Sequence, residues 1–185
     1  MAKSSQSWKR LERKVAEYFN TTRRLRGADF SQNDVEIIAD VQNWIPFEKP
    51  AYIIGECKYR SNAMGVVDTF IDGRSKEKIS IGLVGDGVIM CSLKEFKDVF
   101  LEMIAGKCVT IKDTNKFNVF QVKKNTPKYV NEYLDQASDY SETLVKTTSI
   151  LHDGVVPCLP LLCVSKRGRQ GIFALFRIED FRPFL

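Results

Sequence analysis

An apolar run at residues 51–60, AYIIGECKYR, ends in a carboxylate and an ammonium two positions apart. In an extended strand alternate side chains share a face, so Glu56 and Lys58 project together and Cys57 projects the other way. A second strand-like segment, NDVEIIA at 33–39, lies upstream and brings the carboxylate Asp34 near its start. The stretch between them, VQNWIPFEKP, is punctuated by two prolines. This pattern predicts neighbouring strands over 34–40 and 51–59.

Packing alone does not require an acid and a base to close an apolar strand in this order. Phosphodiester hydrolysis assisted by a divalent metal does supply a reason: two acids to hold Mg²⁺ and an ammonium beside the attacking water. The chain has 185 residues, enough for one sizeable core or one elaborated domain. Its 44% hydrophobic and 28% charged content is that of a globular protein rather than a disordered tail. A formal net charge of +5 permits nucleic acid as a partner without requiring it. The N-terminal MAKSSQSWKR lacks the apolar centre of a signal peptide, and no apolar run reaches membrane-spanning length. The expectation is an intracellular protein, cytoplasmic or nucleoid-associated, with no membrane partner. Five cysteines (Cys57, Cys91, Cys108, Cys158 and Cys163) contain no C-x-x-C pair, which predicts reduced thiols rather than a zinc site. His152 is the only histidine, too few for a multi-histidine zinc centre. No phosphate-loop motif or serine-nucleophile elbow occurs.

Helical periodicity over 7–19 predicts an amphipathic helix capped by Ser7, with Trp8, Leu11, Val15 and Phe19 on one stripe. Glu12 falls inside that stripe and Glu17 falls roughly opposite Trp8. An acid on a buried face needs a partner or a purpose. The segment 21–33 reads as a loop with a basic run, within which 23–26 suggests a first strand. Further on, 66–78 reads as a weaker helix, 82–87 as a glycine-rich break, 88–91 as a strand and 93–104 as an amphipathic helix. Segments 108–111 and 118–122 suggest a hairpin, 126–148 a long helix starting near Pro127, and the C-terminal runs a hairpin turning at 166–171.

The order is a helix with an inward Glu12, a strand with Asp34, a strand with Glu56-x-Lys58, a long helix and terminal strands. In this it resembles the PD-(D/E)xK nuclease superfamily, particularly its Holliday-junction resolvase-like branch. Asn33 stands where that family often has proline. Gln136 and Tyr140, one helical turn apart, look like the Q-x-x-x-Y helix motif of the RecB-like exonuclease branch. The resemblance implies an α/β restriction-endonuclease-like core, a mixed central sheet flanked by helices. Two routes through that core are open after Lys58. Either 66–78 and 88–91 supply the next helix and strand, or 126–148 and 159–164 do; the motif position and closing hairpin favour the second. One domain then spans 1–185, with an insertion at about 80–125.

The implied chemistry uses Asp34, Glu56 and the backbone carbonyl of Cys57 to hold Mg²⁺, or Mn²⁺ in its place. Lys58 orients or helps deprotonate the attacking water and stabilises charge on the phosphate, while Glu12 serves a second metal or a metal-held water. Glu36 shares a strand face with Asp34 and is the reserve ligand. The competing reading of Glu56 and Lys58 is a surface salt bridge on an edge strand. Candidate DNA contacts are Arg24, Arg26, Ser31, Arg60, Gln136, Tyr140, Lys166, Arg167 and Arg169. The expected activity is a Mg²⁺-dependent deoxyribonuclease, an endonuclease selective for branched DNA and acting as a homodimer, since symmetric junction cleavage needs two sites. The alternatives are an exonuclease or site-specific nuclease of the same superfamily, or a non-catalytic nucleic-acid-binding protein with a nuclease fold.

Overall fold

The computed structural model describes residues 2–22, 35–60, 65–85, 87–107, 116–149, 156–167 and 170–185, with backbone alone at 2–6, 60 and 143–149. The elements run α1 (Ala2–Tyr18), β1 (Ile37–Asp40), a 3-10 turn (Val41–Asn43), β2 (Tyr52–Arg60), α2 (Gly65–Gly73), β3 (Ile79–Val84), β4 (Val88–Ser92) and α3 (Leu93–Gly106). They continue with β5 (Phe117–Lys123), α4 (Lys128–Ser149), β6 (Cys158–Lys166), β7 (Phe173–Arg177), α5 (Ile178–Phe181) and a terminal 3-10 turn (Arg182–Phe184). The strands form a seven-stranded sheet in the order β1-β2-β6-β7-β4-β3-β5. It is mixed: β1 and β2 pair antiparallel, while β3 and β5 pair parallel. The α/β class is therefore the one the sequence predicts. β6, entered after α4, is the neighbour of β2, which is the second of the two chain routes. No helix among the described residues is long and apolar enough to cross a membrane.

The chain divides into two compact units, Met1–Lys58 with Glu132–Leu162, and Tyr59–Asn131 with Cys163–Leu185. In the first, β1 and β2 pair from Ile37 with Gly55 to Asp40 with Tyr52. Residues on the two sides of this ribbon alternate, and Ile37, Ala39 and Ile53 on one side are fully buried. On the other side Ile54 packs in a cluster with Val35 and Ala137 of α4, against which Ile38, Tyr52 and Tyr140 lie. Helix α1 packs on β1 and buries Leu11, Glu12, Val15, Ala16 and Phe19. The Phe19 ring meets Trp44 edge-on at 5.0 Å.

The second unit places helices on both faces of its strands. Phe70 of α2 meets Phe173 of β7 at 5.6 Å, and Phe96 of α3 meets Phe176 of the same strand at 5.6 Å. Residues 173 and 176 differ by an odd number, so they face opposite ways. Phe100, Phe181 and Phe184 extend the second contact into a ring cluster that docks the C-terminal turns. The predicted insertion range lies inside this unit, which also takes in α2 and the C-terminal residues.

Several local expectations are corrected. α1 starts at Ala2, so Ser7 lies inside it rather than capping it; Ala2, Lys3 and Gln6 are all good helix formers. Trp8, expected on the buried stripe, is 40% exposed, because it lies one turn before Leu11, the first buried residue among the described side chains of the helix. The glycine-rich segment is no continuous break, since Gly82 is buried inside β3. Among the described residues of this segment, Gly85 and Gly87 take positive φ, at 73° and 77°. β5 pairs in parallel with β3, reached through β4 and α3. The proposed hairpin partner at 108–111 and the suggested strand at 23–26 lie outside the described residues.

Candidate active site

The antiparallel register that aligns Ile37 with Gly55, extended one step, sets Glu36 opposite Glu56. Directly opposed residues project to the same side of an antiparallel pair. Glu36 therefore joins Glu56 and Lys58 on the side of the ribbon that α4 covers. Lys58 Nζ stands 3.5 Å from Glu56 Oε2 and 3.9 Å from Glu36 Oε1. Glu36 Oε2 accepts a hydrogen bond from the Cys57 N–H at 3.4 Å. Above this group, Tyr133 of α4 presents its ring to Lys58, with Nζ 4.6 Å from the ring centre. Tyr133, Ala137 and Tyr140 recur at intervals of four and three residues, so one stripe of α4 runs from Lys58 to Ile54 and Tyr52.

Burial governs the electrostatics. Glu56 is 2% exposed, and its carboxyl is pushed up to about 8, first by desolvation, then by the Glu36 charge and a hydrogen bond between the two carboxyls. Lys58 opposes the shift without cancelling it. Two carboxyls in a dry site cannot both be ionised cheaply.

The donor set fits a hard divalent ion. Glu36, Glu56 and the Cys57 carbonyl are all oxygen donors, and Mg²⁺ is commonly held by one or two protein carboxylates while keeping water and substrate oxygens. Among the described residues no group of three or more His, Cys, Asp or Glu side chains is arranged to hold a metal. The described ribbon thus contributes two carboxylates, and Asp34 lies outside the described residues.

The other predicted residues fall as follows. Glu12 is 3% exposed on α1, while Glu17 on the same helix is exposed, as their helical positions require. The contacts that define the carboxylate–lysine group come from Glu36, Glu56, Lys58 and Tyr133. Cys57 is buried between Glu56 and Lys58 in sequence, on the reverse side of the strand. Gln136 and Tyr140 are both half-buried on α4, and the Tyr140 ring packs on the Val35, Ile54 and Ala137 cluster. Lys166 belongs to the second unit, where it pairs with Asp68, and Arg167 beside it is exposed. Arg24, Arg26, Ser31, Arg169 and the Arg60 side chain lie outside the described residues, as do Cys108 and His152. The four described cysteines are free thiols. Burial pushes Cys158 up to about 12 and Cys91 higher still, so neither is a nucleophile at neutral pH.

Sequence reasoning missed Tyr133. Its signal was the apolar and aromatic stripe 133, 137 and 140, which the Gln136 and Tyr140 pairing obscured. Comparison with protein-family models, with curated proteins and with solved structures gives no match to this chain.

Proposed function

We propose that this chain is a divalent-metal-dependent deoxyribonuclease, an endonuclease selective for branched DNA that acts as a homodimer. The observation that carries this reading is the pairing of the buried Glu56 with the half-buried Glu36, with the Lys58 ammonium 3.5 Å from Glu56. A fold gains little from setting a second carboxylate beside a buried one. Phosphodiester hydrolysis gains a cation site from the two.

Glu36 and Glu56 would hold Mg²⁺ or Mn²⁺ together with the Cys57 carbonyl, and Asp34, on the segment entering β1, is the further candidate ligand. When bound, the ion supplies Lewis-acid stabilisation of charge on the scissile phosphate. The chain's own groups do the rest. Lys58, held between the carboxylates and the Tyr133 ring, presents a donor to the attacking water or to a phosphate oxygen. The Cys57 N–H fixes the Glu36 carboxylate. The burial of Glu56 strengthens the interactions that its carboxylate makes.

The test is incubation with a four-way junction, a linear duplex and single-stranded DNA, each with Mg²⁺ or with EDTA. Nicking of the junction near its crossover only with Mg²⁺ is the expected result. Trimming from ends would assign the chain to exonucleases instead. Junction binding without metal-dependent cleavage would leave a non-catalytic binding protein.

A further inference from the structure

The solvent side of α1 carries four cations in six residues, Lys9, Arg10, Arg13 and Lys14, all exposed. At about 100° per residue, 9, 13, 10 and 14 span an arc of about 140°, with 9 and 13 in one row and 10 and 14 in another. Glu17 is the one acidic side chain within that arc, so Lys9, Arg10, Arg13, Lys14 and Glu17 together carry a net charge of 4 − 1 = +3. No ion pair joins Arg10, Arg13 or Lys14 to another described residue. Lys9 Nζ instead lies 5.8 Å from the centre of the Trp8 ring, itself 40% exposed.

Folding does not explain this arrangement. Like charges four residues apart repel along a helix. Nor do they balance the helix dipole, because α1 runs Ala2–Tyr18 and has no basic residue in its last turn. A membrane surface is a poor partner, since such helices insert an apolar face. Here Leu11, Val15, Ala16 and Phe19 are already buried in the protein. Two parallel rows of cations, each on a spacing of about 5–6 Å, suit a polyanion with regularly spaced charges.

We propose that the exposed face of α1 binds the phosphodiester backbone of DNA through Lys9, Arg10, Arg13 and Lys14, while the same helix turns Glu12 inward. This rests on the nuclease reading for the identity of the polyanion, but it concerns a surface separate from Glu36, Glu56 and Lys58. It supplies sequence-independent affinity and no chemistry.

The experiment measures binding of a labelled four-way junction and a labelled linear duplex in EDTA over a range of salt concentrations. The variants are the fourfold alanine replacement K9A/R10A/R13A/K14A and, separately, Glu17→Lys. Each phosphate that a variant no longer neutralises should lower the slope of log affinity against log salt by about 0.9, so the fourfold variant should drop by roughly 2 to 4 in slope. Its affinity at low salt should fall on the order of tenfold to a hundredfold. Glu17→Lys adds a charge to the same arc and should tighten binding and steepen the slope. Unchanged slopes in both variants, with the wild type binding and cleaving DNA, would overturn this inference alone. A wild type that neither binds nor cleaves DNA would overturn it together with the nuclease reading. Binding to anionic phospholipid vesicles in place of DNA would overturn it in favour of a membrane surface.

Discussion

At the scale of the residue, Glu56 is the informative group. Burial and the neighbouring Glu36 charge push its carboxyl up to about 8, against an ordinary 4.5 in the unfolded chain. The native state therefore keeps a proton that the unfolded state has lost, and stability falls as pH rises through this window. A difference of one pKa unit corresponds to about 1.4 kcal/mol, so the decrease is on the order of a few kcal/mol. Thermal unfolding in EDTA should show the wild type losing stability between pH about 5 and about 9, with Glu56→Gln flattening the profile. A wild-type profile flat across this range would contradict a raised Glu56 pKa. Tyr133 gives a second test. A cation over an aromatic face contributes about 0.5–2 kcal/mol, so Tyr133→Leu should destabilise by about that amount and lower cleavage severalfold. Tyr133→Phe keeps the ring and should restore both. The Glu56 and Lys58 pairing was legible from strand parity alone. The place of Glu36 beside them was not, because Asp34 and Glu36 share a face in sequence and the pairing of Ile37 with Gly55 is what sets Glu36 opposite Glu56. Tyr133 was hidden because its contact with Lys58 depends on how α4 docks.

At the scale of the element, α1 and β2 were readable because a single periodicity dominates each. Glu12 buried and Glu17 exposed follow directly from 100° steps. β3 was not readable, since its glycine suggested a break. Gly82 is there for packing: a Cβ at that position would lie 2.5 Å from Val122 Cγ2 and 2.9 Å from Phe70 Cδ2. A glycine required by a close neighbour on a buried face has the same local signature as one in a loop. Gly82→Ala should therefore destabilise the protein by about 1–3 kcal/mol in denaturant unfolding, as overpacking does. A neutral Gly82→Ala would mean that Phe70 and Val122 yield freely. The parallel pairing of β5 with β3 was also out of reach, because it joins strands with β4 and α3 between them in the chain.

At the scale of the whole molecule, the mixed α/β sheet and the approach through α4 to β6 beside β2 were anticipated, while the division into two units was not. The divisions fall at Tyr59, Glu132 and Cys163, inside β2, α4 and β6. No composition change or linker marks such a boundary. The candidate carboxylates and Lys58 all belong to the first unit, as does the basic face of α1. The central claim is that Glu36 and Glu56 form a metal site for DNA hydrolysis, and junction cleavage by wild type and Glu56→Gln, with Mg²⁺ or EDTA, tests it most directly. Removing even an outer partner of a metal ligand commonly costs 10-fold to 100-fold, so removal of a ligand should lower cleavage by at least about 100-fold. A metal site at Glu36 and Glu56 predicts Mg²⁺-dependent nicking by the wild type, its disappearance in Glu56→Gln and in EDTA, and unchanged DNA binding in EDTA. Cleavage by Glu56→Gln at the wild-type rate, or wild-type cleavage indifferent to EDTA, would contradict it.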